Sequence, residues 1–237
     1  MKTISNILSN TASLKSSIYE GLLKGQAETL KGGDDLVKFV HWFVDQYVAE
    51  EPVVDRDAAF NAMMNATELK GDTVIIDTDK AYNHMIKRFD PERLIIKTSL
   101  MPSNIKNIKI INCKYSYMIH SYISDISQFN IEIYRDNGSK YGSLAAAFKM
   151  KTTGDTVKFG NIKAGSFIMT SPKIKIIEIG KDCDIIEPNF EQCMQLEDIK
   201  GNLGRVEKLH LSRHFVKCQL VKSGLIGSAN TNLRIYN

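Results

Sequence analysis

The sequence predicts an α/β fold: a solenoid of short repeats, each pairing a strand with a helical or 3₁₀ turn, behind an N-terminal helical segment. Three observations predict it. Phe190, Cys193, Leu196 and Ile199 follow one another at three-residue steps behind the pair Ile185-Ile186. That step drifts off one face of a straight α-helix but suits a 3₁₀ turn running into a strand. The step also recurs: Phe167 to Phe190 and Ile176 to Ile199 are each 23 residues, and Phe190 to Phe215 and Cys193 to Cys218 are each 25. Finally, Ile105-x-x-Ile108-x-Ile110-x-x-Cys113 has the spacing of a strand-and-turn repeat unit.

The N-terminal part, residues 1–52, reads as helical. Ile4, Ile7, Leu8, Leu14, Ile18, Leu22 and Leu23 follow an approximate helical stripe up to Gly32-Gly33. Asp34-Asp35 then sits where acidic residues favour a helix start, and Leu36, Val37, Phe39, Val40, Phe43 and Tyr47 form an apolar face on a helix over roughly 35–49. This face includes the chain's one tryptophan, Trp42. It either packs as a cap on the first repeat or docks into a partner or an oligomer; the second reading makes Trp42, Phe43 and Tyr47 partner-binding candidates. Glu50-Glu51-Pro52 closes the segment, and the repeat region is expected over 53–237.

Along that region, Phe60, Met63, Ala66 and Leu69 repeat the three-residue step and lead into the β-rich Thr73–Asp77. Residues 78–88 read as a short helix, Leu94–Ile96 as a strand, and Leu144-Ala-Ala-Ala-Phe148 as helix-like. Asp136-Asn137-Gly138 is the clearest turn.

The string Ile186-x₃-Phe190-x₂-Cys193-x₂-Leu196-x₂-Ile199 resembles the unit of the BspA-like leucine-rich repeat, about I-x₃-AF-x₂-C-x₂-L-x₂-I. Phe60-x₂-Met63-x₂-Ala66-x₂-Leu69, with Asp77-Thr78 after it, is similar to a related variant. The likeness is clear over about 162–225; Thr170 and Asp125 stand where the family prefers Cys. It implies a leucine-rich-repeat-like solenoid with strands on the concave side. It also implies a setting among surface adhesins of gut-type bacteria and protists or proteins of their phages.

The totals exclude several classes. Thirty-one basic and 27 acidic residues are interspersed for a net charge of +4, so no nucleic-acid partner is expected. Met1 to Ser13 holds one Lys but no apolar stretch before a cleavage site, so neither a signal peptide nor a membrane span is expected. Cys113, Cys183, Cys193 and Cys218 form no Cys-x-x-Cys pair and read as small buried hydrophobes.

Candidate chemistry is thin. His210-x₃-His214 has metal-ligand spacing, with Glu207 and Cys218 close in sequence, but lacks the Glu of H-E-x-x-H, and Leu209-His210-Leu211 reads as a strand. A metal-binding protein or enzyme centred there is the alternative to an interaction protein. Gly160-Asn-Ile-Lys-Ala-Gly165-Ser166-Phe167 has P-loop glycine spacing but continues as Ser166-Phe167 where the motif needs its Lys and Ser/Thr. Asp182, Asp184 and Glu187 read as a solvated turn. Tyr115, Tyr117, Tyr122, Tyr134 and Tyr141 concentrate in one stretch, and Tyr115, Tyr117 and Tyr134 join the partner-binding candidates.

The expectation is a non-enzyme with no cofactor: an interaction module presenting its surface to a protein or glycan partner, with oligomerisation through 1–52 a further option. Its expected place is a bacteriophage virion or the cytoplasm, the alternative being a secreted or surface adhesin of BspA type.

Overall fold

The computed structural model describes residues 33–52, 54–81, 92–97, 101–114, 117–135, 145–150, 154–212 and 232–236. Helix α1 (Gly33–Glu50) begins at Gly33, whose φ of +55° suits glycine, and carries Asp34 and Asp35 in its first turn. Its buried side chains Leu36, Phe39, Val40, Phe43, Val44 and Tyr47 recur at three- and four-residue steps, the mark of one face turned to a core. Helix α2 (Arg56–Ala66) is capped by Asp55, whose carboxylate accepts from the N–H groups of Asp57 and Ala58 at 3.1 and 3.0 Å. Phe60, Met63 and Ala66 are one buried face of this α-helix, which passes directly into extended backbone at Thr67.

Strands β1 (Thr67–Lys70) and β2 (Thr73–Asp77) form an antiparallel hairpin around Gly71, at φ +63°. A single turn, α3 (Thr78–Ala81), follows. The later strands are β3 (Arg93–Ile96), β4 (Asn107–Ile111), β5 (Tyr117–Ser121), β6 (Asp125–Ile126), β7 (Asn130–Ile133), β8 (Ala145–Met150) and β9 (Thr156–Phe159). After them come β10 (Ile162–Thr170), β11 (Ile176–Glu178), β12 (Asp184–Phe190), β13 (Asp198–Lys200), β14 (Lys208–Ser212) and β15 (Asn232–Tyr236).

Every strand pairing after the hairpin is parallel. An eleven-stranded sheet runs β1-β2-β4-β7-β10-β12-β14-β15, and β3, β5 and β8 join it as a branch through β8 and β10. The nine-residue β10 makes the fork: Ile162 and Lys163 pair with β7, while Ser166 to Thr170 pair with β8. The sheet as a whole is a curled half-barrel. A second, four-stranded parallel sheet, β13-β11-β9-β6, shares no strand pairing with it.

The expected leucine-rich-repeat solenoid is not what forms, although α/β describes the chain coarsely. Beyond Ala81 no helix occurs among the described residues, so the second layer of each supposed unit is strand and turn. The strand partners also ignore the sequence period. Phe167 faces Pro188, not Phe190, and Ile176 faces Asp198, not Ile199. Register residues step unevenly from Val74 to Ile108, Ile131 and Ile162. The three-residue step has a local cause. At the corner from β12 to β13 the Cys193 N–H donates to the Phe190 carbonyl (2.9 Å) and the Leu196 N–H to the Cys193 carbonyl (3.1 Å). Two consecutive i,i+3 turns leading into a strand bury all four side chains.

The 144–148 stretch is also corrected: Ala145 to Phe148 is strand, because β5 and β10 pair with it on both sides and override the helix preference of alanine. The Asn137-Gly138 turn and residues 1–32 lie outside the described residues. Within the described chain one apolar core runs from Leu36 to Leu211, so the stretches before and after residue 52 share it. Phe148, Phe159, Phe167 and Phe190 pack inside it with ring centroids 4.7 to 5.8 Å apart.

Candidate functional site: a polar pocket beside the end of helix α1

Strand alternation builds the site. On β3 Leu94 and Ile96 point into the core and Arg93 to the other face; on β5 Tyr117 and Ile119 are buried and His120 is not; on β8 Phe148 is buried and Lys149 exposed. The parallel register sets Ile95, His120 and Lys149 side by side, with Arg93 two residues before Ile95. Helix α1 packs against β3 and ends there at Glu50. Glu50, Arg93, His120, Tyr122 and Lys149 line a pocket of about 140 Å³, more room than one water needs.

The lining is tied in place. Lys97 Nζ lies 2.7 Å from Glu50 Oε1, and the Tyr122 hydroxyl donates to Glu50 Oε2 at 3.0 Å. The Lys97 contact foremost, with help from Tyr122, holds the Glu50 carboxyl below the usual glutamate range, against a smaller opposing effect of burial. Arg93 Nη1 donates to Glu51 Oε1 at 3.2 Å, Nη2 lies 3.3 Å from His120 Nδ1, and the guanidinium stands 5.8 Å from the centre of the Tyr47 ring. An arginine has no acceptor, so in this contact His120 Nδ1 is the accepting atom. Helix α1 has no basic residue in its last turn; Arg93 and Lys97 supply cations near that end from β3 and its exit.

Most residues singled out from the sequence lie elsewhere. Trp42, Phe43 and Tyr47 are buried, at 6 %, 2 % and 2 % exposure, because the apolar face of α1 is part of the common core. The Tyr47 ring lies beneath Arg93, one of the residues lining the pocket. Tyr117 is fully buried, since it is an inward position of β5. Tyr134 is half-buried, donating to Glu132 Oε2 at 2.6 Å with Lys109 Nζ 4.7 Å from its ring centre. Tyr115 and His214 lie outside the described residues.

His210 sits on β14, 7 % exposed, with Nε2 2.6 Å from Glu187 Oε1. The glycine-spaced Gly160–Phe167 enters β10 at Ile162 and continues as strand, with no helix start to cradle phosphate. Asp184 pairs with Arg205 at 2.8 Å and Glu187 with His210 on β12, while Asp182 stands in the exposed turn before the strand. Cys113, Cys183 and Cys193 are buried free thiols, pushed up by burial to about 12, 11 and 12.

Arg93, His120 and Lys149 went unnoticed in the sequence. Each interrupts an apolar strand with a polar residue, but the register that joins them is a product of the tertiary structure. Among the described residues no helix is long and apolar enough to cross a membrane, and no group of three or more His, Cys, Asp or Glu is placed to hold a metal ion. No protein-family model, curated protein or solved structure matches the chain.

Proposed function

We propose that the chain is a non-enzymatic interaction module that recognises a protein or glycan partner with the face of β3, β5 and β8 around this pocket. The observation that carries the reading is the pocket itself: a polar recess on paired strands, its side chains pre-positioned by the Lys97–Glu50, Tyr122–Glu50 and Arg93–Glu51 contacts. Polar groups already held in one geometry lose little freedom when a partner arrives. The cysteines of the described chain add to this reading, since thiols raised to between about 11 and 12 carry almost no thiolate at neutral pH.

The test is binding of the full-length protein to glycan and peptide arrays. A ligand is expected whose binding falls at least tenfold in Lys149→Glu and is unchanged in Lys200→Glu, an exposed position on the other sheet. Equal loss in both variants, or loss in neither, overturns the proposed face.

A further inference from the structure

We infer that the pocket lined by Glu50, Arg93, His120, Tyr122 and Lys149 binds a single carboxylate group, an inference that rests on the reading of this face as the recognition surface. Three lines of geometry lead there.

Charge comes first. The permanent cations at the site are Arg93, Lys97 and Lys149, and the anions are Glu50 and Glu51. Lys97 is engaged by Glu50 and Arg93 by Glu51. Lys149 makes no ion pair among the described residues and is exposed at the rim. One cation is thus left over, which matches a monoanion. A phosphate monoester carries about 1.5 to 2 negative charges near neutral pH and would set its surplus against the Glu50 carboxylate.

Donors come second. A guanidinium offers five N–H groups in a planar fork. Glu51 takes one from Nη1 and His120 one from Nη2, so each of these nitrogens keeps a second N–H. Arg93 Nε also has no hydrogen-bond partner, but it is shut off from solvent, so the fork offered to a ligand is that of Nη1 and Nη2. A carboxylate offers two coplanar oxygens, the acceptor geometry that an arginine fork fits best.

Size comes third. About 140 Å³ admits a carboxylate with a short carbon chain while leaving the rest of a larger ligand outside. The same group can arrive on a free short-chain acid or on the side chain of an acidic peptide, and both present it identically to Arg93 and Lys149.

The experiment titrates the ¹⁵N-labelled full-length protein with acetate and succinate, with acetamide and inorganic phosphate as comparisons, and follows the His120 ring resonances. A blocked peptide carrying one glutamate forms a separate arm. Saturable shifts with acetate or succinate, none with acetamide, and a roughly tenfold weaker response in Lys149→Gln are expected, with Lys200→Gln unchanged. A tighter response to the peptide assigns the carboxylate to a protein partner; equal or weaker response assigns it to a free acid. Both support the inference. Failure of every carboxylate to saturate, wild-type affinity in Lys149→Gln, or saturation by phosphate alone overturns it. If the carboxylates fail while an array ligand still depends on Lys149, the carboxylate inference falls and the recognition face stands.

Discussion

Asn130 donates from Nδ2 to Asn107 Oδ1 at 2.8 Å and, with its own Oδ1, accepts the backbone N–H of Asn161 at 3.1 Å. The line extends both ways: Asn107 Nδ2 donates to Asp72 Oδ1 at 3.0 Å, and Asn161 Oδ1 accepts the Asp182 N–H at 3.0 Å. Asp72 sets its direction. As a carboxylate it only accepts, so Asn107 turns its amide nitrogen to it and is left with an oxygen for Asn130. These residues stand where the chain enters β2, β4, β7, β10 and β12, and they tie successive strand starts together where the backbone ladder begins.

Asn130→Ala removes one side-chain bond and leaves the Asn161 N–H without its acceptor. A loss of about 1–3 kcal/mol is expected, read as a lower urea midpoint at unchanged slope. Asn130→Asp restores the acceptor but faces Asn107 with oxygen against oxygen. It should recover only part of the loss; full recovery would show that the side-chain bond contributes nothing.

Phe190 is 1 % exposed and its ring centre lies 5.8 Å from that of Phe167. Truncating a buried phenylalanine to alanine costs about 3–5 kcal/mol. Lys200, in contrast, is exposed and pairs with Glu178 at 3.3 Å, a surface contact worth about 0–1 kcal/mol. Phe190→Ala should therefore lower the melting temperature strongly and Lys200→Ala hardly at all. Equal melting temperatures would remove Phe190 from the core.

What the sequence made legible was local. Helix α1 is read from Asp34-Asp35 and the spacing of Leu36, Phe39, Val40 and Phe43, because its start and its face depend on neighbours within two turns. Strand β4 is read from the alternation of Ile108 and Ile110, both fully buried. The same stripe on α1 did not say whether Trp42 meets core or partner, since an amphipathic face looks alike in both cases. Register was illegible. The segments between strands vary in length, so the spacing of Phe167 and Phe190 did not reveal that Phe167 lies beside Pro188. The pocket was hidden for the same reason: Arg93, His120 and Lys149 become neighbours only when β3, β5 and β8 pair.

The three buried thiols give a chemical prediction. Burial raises Cys113 and Cys193 to about 12 and Cys183 to about 11, and Cys193 Sγ also lies 3.4 Å from the Met169 carbonyl. Thiol reagents attack the thiolate. In a Cys218→Ser background, iodoacetamide at neutral pH should leave all three unmodified in the folded protein and alkylate all three in denaturant, counted by mass. Rapid native modification of any one would place it outside the core.

Glu50 gives the last prediction, on acid stability. Its carboxylate accepts from Lys97 Nζ at 2.7 Å and from the Tyr122 hydroxyl at 3.0 Å, and its folded pKa lies below the ordinary value of 4.5. As pH falls through that value the unfolded chain takes up the proton first. The unfolded state then binds more protons than the folded one, and stability declines. The Glu50 contribution is thus fully present above 4.5 and is lost as pH falls from there through the lower folded pKa. Glu50→Gln cannot titrate, so its deficit relative to the parent should be largest at neutral pH and shrink in acid. Tyr122→Phe, which removes one of the two contacts, should show a smaller deficit with the same trend. Melting curves of the three proteins across the acid range check this, and a Glu50→Gln deficit that stays constant down to the lowest pH would mean that the tether between α1 and β3 does not depend on the Glu50 charge.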